Sequence, residues 1–335
     1  MLGRVGGWEE DSFMQLGVMV AIQEDVTWEG WLRVVNHAER LGFESVWTSD
    51  HLWTVFPGAA RQSLAMWPAL TAAALLTSRV RIGQLVSPTT YRHPVELAQN
   101  AVALDHLSGG RYILGIGAGW QEREHRAFGF QLPPPGTRVE RLRETLQIIR
   151  ALWRGAPVHH KGRFFSLDGA VLRPTPLRGE GVPILIGGGG ERRTLRVVAE
   201  FADEWNPGFV DPESYLRKNS ILEEFCRELG RDPASIRRTL MITYVIGRSQ
   251  AELREKALRF AHWRGEDQDG LDPERVLEEL RRRWWLVGTP REIVSQIRGW
   301  AALGIQRIML HMFDLDDLDG LELMAREVLP AVSGS

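Results

Sequence analysis

This chain is short of several things at once. It has a single cysteine, Cys226, among 335 residues, so no intrachain disulfide can form and secretion gains no support. Cys226 lies in the helical stretch 211–230 with no activating neighbour in sequence, and it reads as a small buried hydrophobe rather than a nucleophile. Net charge is almost absent. Against 41 Lys plus Arg stand 43 Asp plus Glu, a formal charge of -2, which gives no electrostatic case for nucleic acid or an anionic membrane surface. No apolar run approaches the ~18 residues of a membrane span. Residues 1–12, with Glu9, Glu10 and Asp11, lack the apolar core of a signal peptide, so the expected location is the cytoplasm. The histidines form no His-Glu-x-x-His or His-x-His motif, and no metal site is expected. A Gly-x-Ser-x-Gly nucleophile elbow is missing as well.

What is present is a strict β-α alternation. Strand-like runs occupy 15–22, 45–49, 80–87, 112–117, 182–187, 203–207, 239–247 and 306–312. Helical periods fill the gaps: Trp28, Trp31, Leu32, Val35 and Ala38 repeat at helical spacing, as do Val139, Leu142, Leu146, Ile149 and Trp153. Asp211-Pro212, Asp272-Pro273 and Thr289-Pro290 each pair an N-cap residue with a proline at the first helical position. Glu292 completes a capping box with Thr289. Alternation of this kind means a parallel sheet, and eight units favour a closed (β/α)8 TIM barrel over an open sheet. The expected organisation is one barrel domain over 15–330, with an N-terminal extension at 1–14. Two insertions interrupt it, near 155–181 and 264–287. Long insertions of this kind serve as lids or as subunit contacts.

Three places offer chemistry. The run Ser45-Val46-Trp47-Thr48-Ser49-Asp50-His51 delivers two titratable groups to a strand's C-terminal end, where barrels keep their active sites. His51 is the candidate acid or base, with Asp50 orienting it or touching a cofactor ring. The bland alternative is that Asp50 caps the next loop and His51 is a satisfied polar residue. Gly187-Gly188-Gly189-Gly190 joins a strand to a helix, where backbone N–H groups and the helix N-terminus favour an anion such as phosphate. It is neither a dinucleotide fingerprint nor a P-loop; the alternative is a plain tight turn. Gly117-Ala118-Gly119-Trp120 closes the fourth strand, leaving room for a planar ligand with Trp120 as a wall.

These motifs occur together with Leu41-Gly42-Phe43, Tyr91-Arg92-His93-Pro94, Leu107-Ser108-Gly109-Gly110-Arg111 and Val287-Gly288-Thr289-Pro290. In that order they resemble the luciferase-like superfamily of flavin- and deazaflavin-dependent oxidoreductases, over about 15–330. Their style is most similar to members dependent on coenzyme F420, an 8-hydroxy-5-deazaflavin. The resemblance implies a cofactor ring at the strands' C-terminal end, contacted by Asp50, Leu85, Val86, Gly117, Ala118 and Gly119. It also implies a cis peptide near Leu85-Val86 and a phosphate site at Gly187, Gly188, Gly189 and Gly190. His51 matches the active-site histidine of sugar-phosphate dehydrogenases that use this cofactor. Two departures are visible: Val55 stands where those enzymes carry a tryptophan, and Trp120 stands where they carry a catalytic glutamate. No second carboxylate is therefore expected beside His51.

The resulting expectation is hydride transfer between coenzyme F420 and a small organic substrate. In this reading His51 moves the proton, and Trp53 and Trp120 wall an apolar pocket. The main alternative is an FMN-dependent monooxygenase fed by a separate reductase, and a further one is a catalytically silent cofactor-binding protein. A homodimer is expected by default.

Overall fold

The computed structural model describes residues 14–56, 61–266 and 270–333. All but Met14 of the expected N-terminal extension lies outside the described residues. Eight parallel strands form the barrel: β1 (Gln15–Val20), β2 (Ser45–Thr48), β3 (Arg81–Gln84), β4 (Tyr112–Gly117), β5 (Ile184–Gly187), β6 (Glu204–Asn206), β7 (Arg237–Ile246) and β8 (Arg307–Met312). Each pairs with its successor, and β8 pairs with β1 through Gln15–Arg307 to Val20–Met312, so the sheet closes on itself. The third run differs from the sequence expectation. It breaks after Gln84, passes through a cis peptide at Leu85-Val86, and resumes as the two-residue strand Ser87–Pro88 against β4.

The strands are apolar on both faces because both are covered. Leu16, Val18 and Val20 point outward to the helices, while Met19, Trp47, Ile113, Leu185 and Met309 fill the barrel. Below that plug lies a buried ionic floor. Arg307 is fully buried and bonds both oxygens of Glu44 at 2.8 Å, and it also pairs with Glu204. The floor seals the strands' N-terminal end, which leaves the C-terminal end as the place for a site.

The first helix shows how local sequence builds the outer ring. Thr27 caps Trp28–Leu41 by accepting from the Gly30 N–H at 3.1 Å, and Gly42 ends it in the left-handed region, φ 91°. Its buried face is Trp31, Val34, Val35 and Ala38. Trp28, one of the periodic positions, is instead half exposed at the first turn. Burying a large apolar side chain of this kind contributes roughly 1.5–3 kcal/mol, and the Trp31 indole N–H also finds an acceptor, Ala69 O at 3.0 Å. All three Pro-flanked helix starts cap as the sequence implies, with Glu292 reaching back to the Thr289 N–H at 2.7 Å.

The stretch 155–181 contains an antiparallel ribbon, Val158–Lys161 with Ser166–Ala170. The second excursion contains the helix Pro273–Arg282 and an unanticipated short strand, Leu286–Gly288, parallel to the end of β7. Together with the helix Gln250–Trp263 it makes an apolar cluster over β7, built from Leu253, Phe260, Leu277, Leu280 and Phe313.

Candidate active site

The C-terminal mouth of the barrel holds a cavity of about 350 Å³. Leu85, Val86, Gly117, Ala118, Gly119, Trp120, Gly187 and Gly188 line it, as do His51 and Met241. The glycines are there because nothing larger fits. A Cβ on Gly187 would meet the Val86 side chain at 2.9 Å, and one on Gly117 would meet it at 2.7 Å. Gly119 sits at φ 82° with Thr90 Oγ1 2.5 Å from where its Cβ would be.

His51 follows β2, and its Nδ1 lies 3.1 Å from Oε2 of Glu124. Glu124 comes from the short helix Glu122–Ala127, which starts just beyond the strand-four glycines. Its carboxylate also accepts the N–H groups of Leu52 and Trp53, the latter at 3.2 Å. Burial works against the charge of Glu124, but the hydrogen bond and charge of His51 and these two amides outweigh it. The carboxyl is therefore held below the usual range. Because Nδ1 faces a carboxylate it carries the proton, and Nε2 is left for chemistry. The expectation of no second carboxylate beside His51 is thus corrected. Trp120 does occupy the position after the glycines, but Glu124, four residues on and buried at 1% exposure, supplies the carboxylate from the next helical turn. The available signal was a glutamate in the first turn of a helix directly after a barrel strand.

Asp50 does something other than orient His51. Its carboxylate accepts from Ser87 Oγ at 2.6 Å and from Arg92 Nη2 and Nε at 2.7 and 3.0 Å. Its backbone carbonyl accepts the Tyr91 hydroxyl at 2.7 Å. Asp50 therefore ties the end of β2 to the segment just past Leu85-Val86. Trp53 is also displaced from its expected role: it is absent from the cavity lining and packs against Arg123, 4.7 Å from its ring, and edge-on to Phe128. Trp120 does line the cavity, edge-on to His51 at 5.8 Å.

Within the glycine run, Gly187 and Gly188 line the cavity while Gly189 and Gly190 lie beyond it, at the approach to the helix Thr194–Phe201. The Gly188 N–H is spent on Asn206 O at 2.9 Å. The N–H groups of Gly189 and Gly190 make no hydrogen bond to another described residue. Thr194 at the helix start lines the cavity, and Lys218 Nζ donates to Gly189 O at 2.8 Å. A planar ring over Val86, with an acidic tail towards this turn, fits the shape and the donors present.

Two histidines went unnoticed in the sequence. His125 lines the cavity but is committed on both nitrogens, to Gln121 O and to Thr90 Oγ1, each at 2.7 Å. His311 on β8 is in register with Met19 and Thr243, and its Nδ1 lies 2.9 Å from Thr243 Oγ1. Burial pushes its imidazole down to about 4. No group of His, Cys, Asp or Glu among the described residues could hold a metal ion. No described helix is long and apolar enough to cross a membrane.

Comparison with known proteins adds the family. Residues 12–307 match the luciferase-like monooxygenase model. An F420-dependent glucose-6-phosphate dehydrogenase of Amycolatopsis mediterranei is 30% identical over 313 residues, covering 88% of this chain and 91% of that protein. A second such enzyme, from Rhodococcus jostii, is 30% identical over 319 residues, covering 89% and 92%. Among solved structures, an F420-dependent secondary alcohol dehydrogenase carrying an F420–acetone adduct superposes with a TM-score of 0.79 at 24% identity. That match covers 96% of this chain and 99% of the other, and it shows a shared fold.

Proposed function

Because this chain belongs to the luciferase-like family, we propose that its mouth cavity binds coenzyme F420 and that it is an F420-dependent oxidoreductase of small organic substrates. The observation that carries the reading is the His51–Glu124 pair at the edge of a glycine-floored cavity. F420-dependent relatives aligned along nine-tenths of the chain support it.

When bound, the cofactor supplies a two-electron hydride carrier with carbon where flavin has N5. The protein's own residues do the rest. Gly117, Gly187 and Val86 would hold the ring, and the amides of Gly189 and Gly190 near Thr194 would bind the anionic end. His51 Nε2 takes the proton of a substrate hydroxyl in oxidation, or returns one to a carbonyl oxygen in reduction. Glu124 fixes the tautomer and offsets the charge of the imidazolium, the role a buried carboxylate plays toward histidine in hydrolytic triads. Trp120 walls one side of the cavity, edge-on to His51. Asp50, Ser87 and Arg92 hold the cavity wall in place. A cytoplasmic location and a homodimer belong to the same reading, the second on the general habit of soluble enzymes. A separate reductase belongs to the FMN alternative.

Side-by-side titrations of F420 and FMN, followed by quenching of tryptophan fluorescence, test the assignment. F420 is expected to bind more tightly. Equal or tighter FMN binding together with oxygen-dependent turnover would replace this reading with the monooxygenase.

A further inference from the structure

Building on that reading, we propose that the substrate is an uncharged, largely apolar alcohol or carbonyl compound, and not a phosphorylated sugar of the kind named for the curated relatives.

The cavity contains no lysine or arginine among its described lining residues; its one carboxylate is Glu124. A phosphate monoester seated there would bring two negative charges beside the ionised Glu124, with no lysine or arginine among the described lining residues to offset them. Desolvating an unpaired charge is costly, and a like charge nearby adds to the cost.

Several cations that touch residues lining or flanking the cavity already have hydrogen-bond partners. Arg123 donates to Thr54 O and Phe56 O at 2.6 and 2.8 Å. Arg138 donates to Gly119 O. Arg61 pairs with Glu24 at 3.0 Å and also donates to Trp263 O. Lys218 is held between Gly189 O and Glu191.

The rim, in contrast, is aromatic and open. Trp120 lines the cavity yet is 62% exposed. Phe209, next to the lining residue Gly208, is 59% exposed and lies 6.3 Å from the ring of Trp285. Exposed apolar side chains gathered around a cavity mark a surface that contacts an apolar ligand.

The chemistry closes without a charged handle. In oxidation, the hydroxyl proton goes to His51 Nε2, the carbinol hydrogen leaves with its electron pair for oxidised F420, and a C=O bond forms. Reduction of a ketone by reduced F420 reverses each transfer.

The test uses the full-length protein and separates the two levels. F420 binding is first measured by tryptophan quenching, with no substrate present. Loss of F420 absorbance is then followed with glucose 6-phosphate, 2-propanol and 1-phenylethanol, and the reverse reaction with acetophenone and reduced F420. An uncharged compound is expected to exceed glucose 6-phosphate in kcat/KM by at least about 100-fold, with inorganic phosphate not inhibiting. Trp120→Ala should raise KM for 1-phenylethanol about tenfold. Comparable or better turnover of glucose 6-phosphate overturns the proposal. So does intact F420 binding with no turnover of any uncharged compound. Failure to bind F420 overturns the cofactor assignment instead, and the proposal falls with it.

Discussion

Arg92 grips Asp50 with two nitrogens, Nη2 at 2.7 Å from Oδ1 and Nε at 3.0 Å from Oδ2. The pair is a clamp on the cavity wall, because Ser87, one residue past the Leu85-Val86 peptide, shares the same carboxylate. Asp50 is 1% exposed, so removing the arginine strands a buried charge. Arg92→Met is expected to cost about 3–5 kcal/mol in urea unfolding. Adding Asp50→Asn to Arg92→Met should recover part of that loss. A single variant as stable as wild type would show that the clamp contributes nothing.

His51→Ala addresses proton transfer. It should lower kcat by ~10²–10⁴ with F420 affinity near wild type, the usual contribution of a positioned acid or base. Rates within about threefold of wild type, at matched folded fraction, would remove His51 from the mechanism.

Glu124→Gln should lower kcat while leaving cofactor affinity unchanged, and its effect on stability depends on pH. The Glu124 carboxyl is held below the usual range in the folded protein. Its stabilising contribution is therefore complete above the ordinary glutamate value of ~4.3 and is lost as pH falls below it. The gap in stability between wild type and variant is expected to be full at pH 7 and to close towards pH 3. A gap that stays constant with pH would contradict an ionised, hydrogen-bonded Glu124.

His311 works in the same direction but over a higher pH window. Its imidazole is pushed down to about 4, so the unfolded chain binds a proton near pH 6.5 that the folded protein refuses. Stability should fall as pH drops from about 6.5 to about 4. His311→Gln should lose less over that interval, as read from thermal midpoints.

Gly189→Asp tests the anion turn with little backbone strain. Gly188 sits at φ 122°, where a side chain is strained, whereas a Cβ on Gly189 meets the flexible Lys218 side chain at 3.2 Å and Pro207 O at an ordinary 3.5 Å. A carboxylate there should repel an acidic cofactor tail and weaken F420 binding at least tenfold, with unfolding midpoints unchanged. Undiminished affinity would place the anion elsewhere.

The sequence by itself determined the barrel, because strand and helix periods, N-caps and terminating glycines are local signals. The runs at 45–49 and 112–117 each contain a barrel strand, and the Thr289–Glu292 box forms as written. It also determined that His51, Trp120 and the strand-end glycines would gather at one mouth, since parallel strands deliver their C-terminal ends together. Only the tertiary structure decided their partners. Glu124 reaches His51 across 73 positions, and Arg92 takes Asp50 across 42. Both pairings are set by how helices dock around the strand ends. The same docking turned Trp53 towards Arg123 and away from the cavity. Period and spacing report which face a residue takes, whereas its hydrogen-bond partner depends on distances between elements that no local pattern encodes.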